Sequence, residues 1–247
     1  MSSWIVACLL APFIGSFAGV VVLRHDAACS VLTGRSSCPA CKVSLGARDL
    51  VPLLSWLLLR ARCRYCDTPL GLFYPSMEVA ALIIAIWAAS VFEGMLLWLS
   101  CGLGWTLLVL AATDFKYFRL PDYLTLPLMV AGLFANAVLD LASLWNYALG
   151  AALGYLFVQG LRLVYRKLRG REGIGLGDAK LLAAAGAWVS WWGLPSVIAI
   201  GSVMGLLAVA ALSWRGGTIE LSSRVPFGAF LSMGLWIVWL YGPLATG

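Results

Sequence analysis

Residues 179–213 read AKLLAAAGAWVSWWGLPSVIAIGSVMGLLAVAALS, and this stretch decides the fold. Its 35 residues carry one charge, Lys180, at the very edge. A helix needs about 20 apolar residues to cross the hydrocarbon core of a bilayer. Trp191-Trp192-Gly193 with Pro195 divides the stretch into two candidate spans, 179–192 and 194–213. Working outward, further apolar runs bounded by charge, Gly or Pro fall at 4–23, 76–92, 95–113, 122–140, 145–164 and 226–243. The expected fold is therefore an all-α polytopic membrane protein of about eight transmembrane helices. One polar segment, 24–75, is left over as a small extramembrane insert.

Composition agrees. Of 247 residues, 62% are hydrophobic and 11% charged, and the mean hydropathy is +0.93. An average soluble domain is roughly 45–50% apolar and about 25% charged. These values exclude a water-soluble enzyme and a disordered chain. The net charge of +6 invites a nucleic-acid reading, but basic loops on the inner membrane face explain the same excess. Lipid, and no nucleic acid, is the expected partner.

All 17 Lys and Arg residues lie on one side of the expected spans: in segment 24–75, at Lys116 and Arg119, from Arg162 to Lys180, and at Arg215 and Arg224. The opposite connections hold Glu93 and Asp140. The positive-inside rule then places segment 24–75 in the cytoplasm and both termini outside, which requires an even number of spans. Met1-Ser2-Ser3-Trp4 has no positive flank, and the apolar run continues about 15 residues past Cys8. Residues 1–23 thus read as a retained first transmembrane helix, not a cleaved signal.

Four of the seven cysteines form Cys38-Pro39-Ala40-Cys41 and Cys63-Arg64-Tyr65-Cys66, two C-x-x-C knuckles separated by 21 residues. That is close to zinc-ribbon spacing. Four thiolates suit tetrahedral Zn²⁺, and a closed four-sulfur site is structural. A segment this small gains from a metal staple, and a cytoplasmic location disfavours stable disulfides. Cys38, Cys41, Cys63 and Cys66 are the expected ligands; a disulfide pair, an iron–sulfur cluster and unligated thiols are the alternatives. Cys8, Cys29 and Cys101 stand alone, the first and last as small packing residues within spans. Arg60, Arg62 and Arg64 read as facing phosphate headgroups.

Charged residues at span ends of so sparsely charged a chain are functional suspects. Asp114 ends the third expected span, and Asp178 opens the sixth in Gly175-Leu176-Gly177-Asp178-Ala179-Lys180. Both fall on the cytoplasmic side. Two carboxyls sharing a proton are what an aspartic protease needs. The glycines before Asp178 would let a substrate strand approach the backbone. Against this, Asp178 could be a helix-capping acid and Asp114 could pair with Lys116 or Arg119. If both serve, Asp178 at a helix N-terminus and Asp114 at a C-terminus should leave the shared proton on Asp114. Asp122, in Leu120-Pro121-Asp122, looks like a helix start. Asp140 lies on the far side. His25 is the only histidine, and no Gly-x-Ser-x-Gly motif is present.

Taken together, these pieces resemble the type IV prepilin leader peptidases, membrane aspartic proteases of the Gly-x-Gly-Asp group. The resemblance runs from Gly15-Ser16-Phe17 through the Cys38 knuckle, Pro52-Leu53-Leu54-Ser55-Trp56-Leu57 and the Cys63 knuckle. It continues through Tyr74-Pro75 with Glu78, Asp114-Phe115, Leu120-Pro121-Asp122, the Gly175–Asp178 run and Pro226-Phe227-Gly228. The chain departs from the family pattern at Gly19, Phe73 and 25–28. The resemblance implies that Asp114 and Asp178 are catalytic. It implies cleavage of a basic leader after a glycine, from type IV prepilins or type II secretion pseudopilins, at the cytoplasmic face of the bacterial inner membrane. The intact cysteine tetrad implies a second activity, methylation of the new N-terminal amine with S-adenosylmethionine as methyl donor.

The implied organisation is a first transmembrane helix (1–23), a cytoplasmic four-cysteine insert accompanying the methyltransferase (24–75) and a seven-helix protease domain (76–247). The competing reading is a transporter relaying protons or cations through Asp114 and Asp178. Acids at one membrane face rather than the midplane argue against it.

Overall fold

The structure is a computed structural model that describes residues 2–24, 36–38, 40–170, 175–214 and 225–244. His25, Cys29, Arg35, Pro39, Arg171, Gly173, Arg215 and Arg224 lie outside the described residues.

Helices dominate: α1 (Ser3–Leu23), α2 (Leu54–Leu58), α3 (Phe73–Val91), α4 (Gly94–Tyr117), α5 (Asp122–Leu139), α6 (Leu144–Arg169), α7 (Leu176–Trp214) and α8 (Phe227–Tyr241). Six of them, α1 and α3 to α7, are long and apolar enough to cross a membrane, and α8 is a shorter apolar helix. The all-helical membrane fold is borne out. The chain divides into two units, 1–109 and 110–247.

In the first unit α1 packs on α3 through small residues. A β-carbon on Gly15 would lie 2.6 Å from the Met77 carbonyl oxygen and the Glu78 Cα, so the two backbones touch. One on Gly19 would lie 2.9 Å from the Tyr74 ring and 3.6 Å from Phe73. The Glu78 carboxylate is buried, and its Oε2 accepts the Leu53 N–H at 2.8 Å. That bond ties the residue before α2 to the second turn of α3. Two isolated antiparallel bridges, Ser37 with Ser44 and Arg62 with Pro69, each close one cysteine knuckle.

In the second unit the decisive feature is inside α7. Thirty-nine straight helical residues would measure about 58 Å, near twice the roughly 30 Å hydrocarbon core. Ser190, at φ 60° and ψ 179°, breaks the run. Both arms of α7 reach the start of α8. A β-carbon on Gly228 would lie 3.2 Å from Asp178, and one on Gly205 would lie 3.4 Å from the Phe230 ring. On a straight helix residues 178 and 205 would be about 40 Å apart. So α7 is a hairpin with arms 176–189 and 191–214, the two expected spans, and the turn falls one residue before Trp191.

The first arm packs on α6, where the Gly150 and Gly186 backbones are in direct contact. The second arm runs antiparallel to α8: Gly193 meets Val238, Val197 meets Gly234 and Gly201 meets Leu231. Near the turn, Asn136 of α5 donates to the Ala187 carbonyl at 3.1 Å, and Trp188 donates to the Leu128 carbonyl at 2.9 Å. Buried polar groups that would otherwise be costly are thereby paired.

Candidate active site and metal centre

Helix α4 runs one turn past the expected end at 113, so Asp114 sits within its last turns rather than at its terminus. Asp178 is the third residue of α7. The first turn of α8 meets both. The Ala229 N–H donates to Oδ2 of Asp114 at 3.0 Å. A β-carbon on Gly228 would lie 3.1 Å from that same oxygen and 3.2 Å from Oδ1 of Asp178. The two carboxylates therefore flank one point beside Gly228, which only a residue without a side chain leaves clear. Asp114 is 5% exposed; Asp178 is half-buried.

The structure thus brings together the two acids singled out from sequence and corrects their setting. Asp114 was expected to meet only a helix C-terminus. Its carboxylate instead meets the N–H groups opening α8, the partially positive end of that helix. Both acids face helix N-termini, so the contact with α8 offsets the asymmetry expected from the C-terminal end of α4. Gly177 is corrected too. A β-carbon there would lie 2.9 Å from Leu120, so this glycine admits a neighbouring side chain, not a substrate strand.

Leu120 has a place in the site that its motif, Leu120-Pro121-Asp122, does not reveal. It fills the space between Gly177 and Gly228, its Cδ1 only 2.7 Å from where a Gly228 β-carbon would be. Asp122 does open α5, and it also accepts from Lys180 Nζ at 2.6 Å, joining the Leu-Pro-Asp and Gly-Asp-Ala-Lys motifs. Asp140 caps a short 3-10 turn by accepting the Ala142 N–H at 3.1 Å, apart from this site.

In the insert, Cys38, Cys41, Cys63 and Cys66 place their Sγ atoms within 4.8 Å of one another. Cys38 and Cys66 are 3.8 Å apart, too far for a disulfide. A tetrahedron with metal–sulfur bonds of about 2.3 Å has edges of about 3.8 Å, so the donor set fits Zn²⁺. The knuckles are built alike. The Cys38 N–H donates to the Val43 carbonyl at 3.0 Å, and the Cys63 N–H to the Thr68 carbonyl at 2.9 Å. Lys42 and Asp67 take the left-handed turn position in each. Hydrogen bonding to Thr68 brings the Cys66 thiol down to about 6. Arg64 does not simply face headgroups: its Nε donates to Asp49 Oδ1 at 2.7 Å.

The model of the bacterial peptidase A24 N-terminal domain matches residues 9–92, and that of the type IV leader peptidase family matches residues 101–210. A prepilin leader peptidase/N-methyltransferase of Aeromonas hydrophila is 36% identical over 219 residues, 88% of this chain and 75% of the relative. The chain belongs to the type IV leader peptidase family. Similarly named leader peptidase relatives come from Pseudomonas aeruginosa, 33% identical over 96% of this chain and 90% of the relative, and Burkholderia pseudomallei, 44% identical over 81% of this chain. The chain spans 65% of the length of the Burkholderia relative. No solved structure matches. In the leader peptidase frame, the N-terminal match covers α1, the insert and α3, while the second match contains both acids. The transporter alternative gains no support from these relatives.

Proposed function

We propose that this chain is a membrane aspartic endopeptidase, with Asp114 and Asp178 as its catalytic pair, that cuts the leader from type IV prepilins or type II secretion pseudopilins. The observation that supports it is the single gap beside Gly228 flanked by both carboxylates. In that gap the ionised carboxylate takes a proton from water as the water oxygen attacks the scissile carbonyl carbon. The other, protonated, carboxyl gives its proton to the carbonyl oxygen. Collapse of the tetrahedral intermediate breaks the C–N bond, and the leaving amine takes a proton back from the pair. Ala229, by fixing one oxygen of Asp114, orients that carboxyl toward the gap.

The same reading assigns a second activity, methylation of the newly exposed amine, as the relatives' names suggest. S-adenosylmethionine would supply the methyl group. Cys38, Cys41, Cys63 and Cys66 would hold a structural zinc that fixes the insert. The proposed division remains 1–23, 24–75 and 76–247. The proposed location is the bacterial inner membrane, with the insert and both acids at the cytoplasmic face and both termini outside. The hairpin in α7 supports the even number of crossings that this orientation needs.

The test is cleavage of a purified prepilin by the full chain in detergent. Asp114→Asn and Asp178→Asn should each lower the rate at least about 100-fold, the lower end of what a positioned acid or base contributes, while thermal unfolding stays cooperative. Cleavage retained by either variant defeats the assignment.

A further inference from the structure

Helix α2 presents Leu54, Leu57 and Leu58 to the outside, 59%, 67% and 80% exposed. Spacing of i, i+3 and i+4 puts these three side chains on one helical face, and Leu50, four residues before Leu54, is also 42% exposed. The side chains between them, Ser55 and Trp56, are half-buried. A leucine face open to water on a polar insert needs a partner. The hydrogen bond from the Leu53 N–H to Glu78 constrains what that partner is. Leu53 immediately precedes α2, and Glu78 lies in the second turn of α3, a helix long and apolar enough to cross a membrane. The start of α2 is therefore held within one hydrogen bond of the end of a spanning helix. In sequence the exposed Arg48, Arg60 and Arg62 flank α2, with the exposed Lys42 further upstream. The described acids of the insert are Asp49, already paired with Arg64, and Asp67.

We propose that α2 is an interfacial helix: Leu54, Leu57 and Leu58 lie in the headgroup–acyl boundary of the bilayer, and the flanking arginines meet anionic lipid headgroups. An apolar helical face rimmed by cations is the pattern that binds such a boundary, and arginines reach outward from it along their aliphatic stems. The insert is then held to the membrane at two levels, by Glu78 from within and by the leucines from its surface.

Photolabelling tests this on the unaltered full chain. The protein is placed in nanodiscs of phosphatidylethanolamine and phosphatidylglycerol containing a lipid with a diazirine in its acyl chain. Trypsin releases residues 49–60 as one peptide, cut after Arg48 and Arg60. Acyl-chain adducts on that peptide, mapped to Leu54, Leu57 or Leu58, are the expected result. In a Leu57→Ser/Leu58→Ser variant, adducts on this peptide should fall at least about threefold while those on α1 and α3 peptides stay level. Labelled α1 and α3 peptides beside an unlabelled 49–60 peptide overturn the proposal. So does cross-linking of this peptide to a second copy of the chain in place of lipid.

Discussion

The backbone N–H of Ala229 donates to Oδ2 of Asp114 at 3.0 Å, fastening the first turn of α8 to the last turns of α4. Gly228 stands beside that bond with its missing side chain aimed between the two carboxylates. Whatever moves the start of α8 also moves an acid.

Gly228→Ala should therefore act on catalysis more than on binding. The added methyl would come within 3.1 Å of Asp114 and 3.2 Å of Asp178, and 2.7 Å of Leu120. Overpacking of this kind costs about 1–3 kcal/mol. The expected outcome is a kcat at least about tenfold lower, with a smaller change in KM. Ala229→Pro is the companion variant. Ala229 is the third residue of α8, where the N–H has no partner inside the helix, so proline removes the donor to Asp114 without breaking the ladder. Steady-state kinetics on both variants decide the matter, and an unchanged kcat in Gly228→Ala would show that the gap is not where the peptide bond is cut.

Metal analysis should find about one zinc per chain, as a closed four-thiolate site holds. Cys38→Ser or Cys63→Ser should lower that figure and impair methylation more than cleavage, because both acids lie outside segment 24–75. Full methylation by a zinc-free Cys38→Ser/Cys63→Ser chain would contradict this.

The insert also has an acid-sensitive contact. The Arg64 guanidinium beside Asp49 holds that carboxyl below its ordinary value. A lowered folded-state value means stability that is present above the ordinary aspartate value, about 3.9, and lost as pH falls through the lowered one. Asp49→Asn removes it. The melting temperature of the parent should exceed that of Asp49→Asn at pH 7, and the gap should close as pH falls below about 4. Arg64 is half-exposed, so solvent screening keeps the gap small. A gap that persists unchanged into acid would mean that the pair contributes nothing.

Orientation can be read with reporters. A fusion after Arg169 should report the cytoplasm, and fusions after Asp140 or Leu244 the outside, following the positive-inside rule. A cytoplasmic signal from Leu244 would break the even-span arrangement.

Much of this was legible in the chain because its signals are local. Apolar runs mark spans through length alone, and C-x-x-C spacing marks a candidate metal site because two such knuckles can close on one ion. The missed features are non-local. Pro226-Phe227-Gly228 was visible as a motif, but that its glycine lies between acids 50 and 114 positions earlier follows only from the packing of α4, α7 and α8. A glycine-rich run suggests backbone open to substrate, whereas Leu120 occupies the space beside Gly177. Bulk and glycine at Trp191-Trp192-Gly193 point to a turn there, yet the backbone breaks at Ser190. Nothing in a serine announces a positive φ. Glu78 stood in a motif without a role, since its partner Leu53 offers only a backbone N–H.

The hairpin in α7 also bears on how the protein enters its membrane during synthesis. Its first arm, residues 176–189, is about 21 Å long, short of the roughly 30 Å core. Such an arm is a poor insertion signal by itself. The more apolar second arm must emerge from the ribosome before the pair can partition into lipid as a unit. Asp178 thus waits at the membrane edge until residues beyond 200 have been made, and the setting of the carboxyl pair is complete only once α8 has been made and Ala229 meets Asp114. A chain stalled before that point carries both acids but lacks the helix start that holds Asp114.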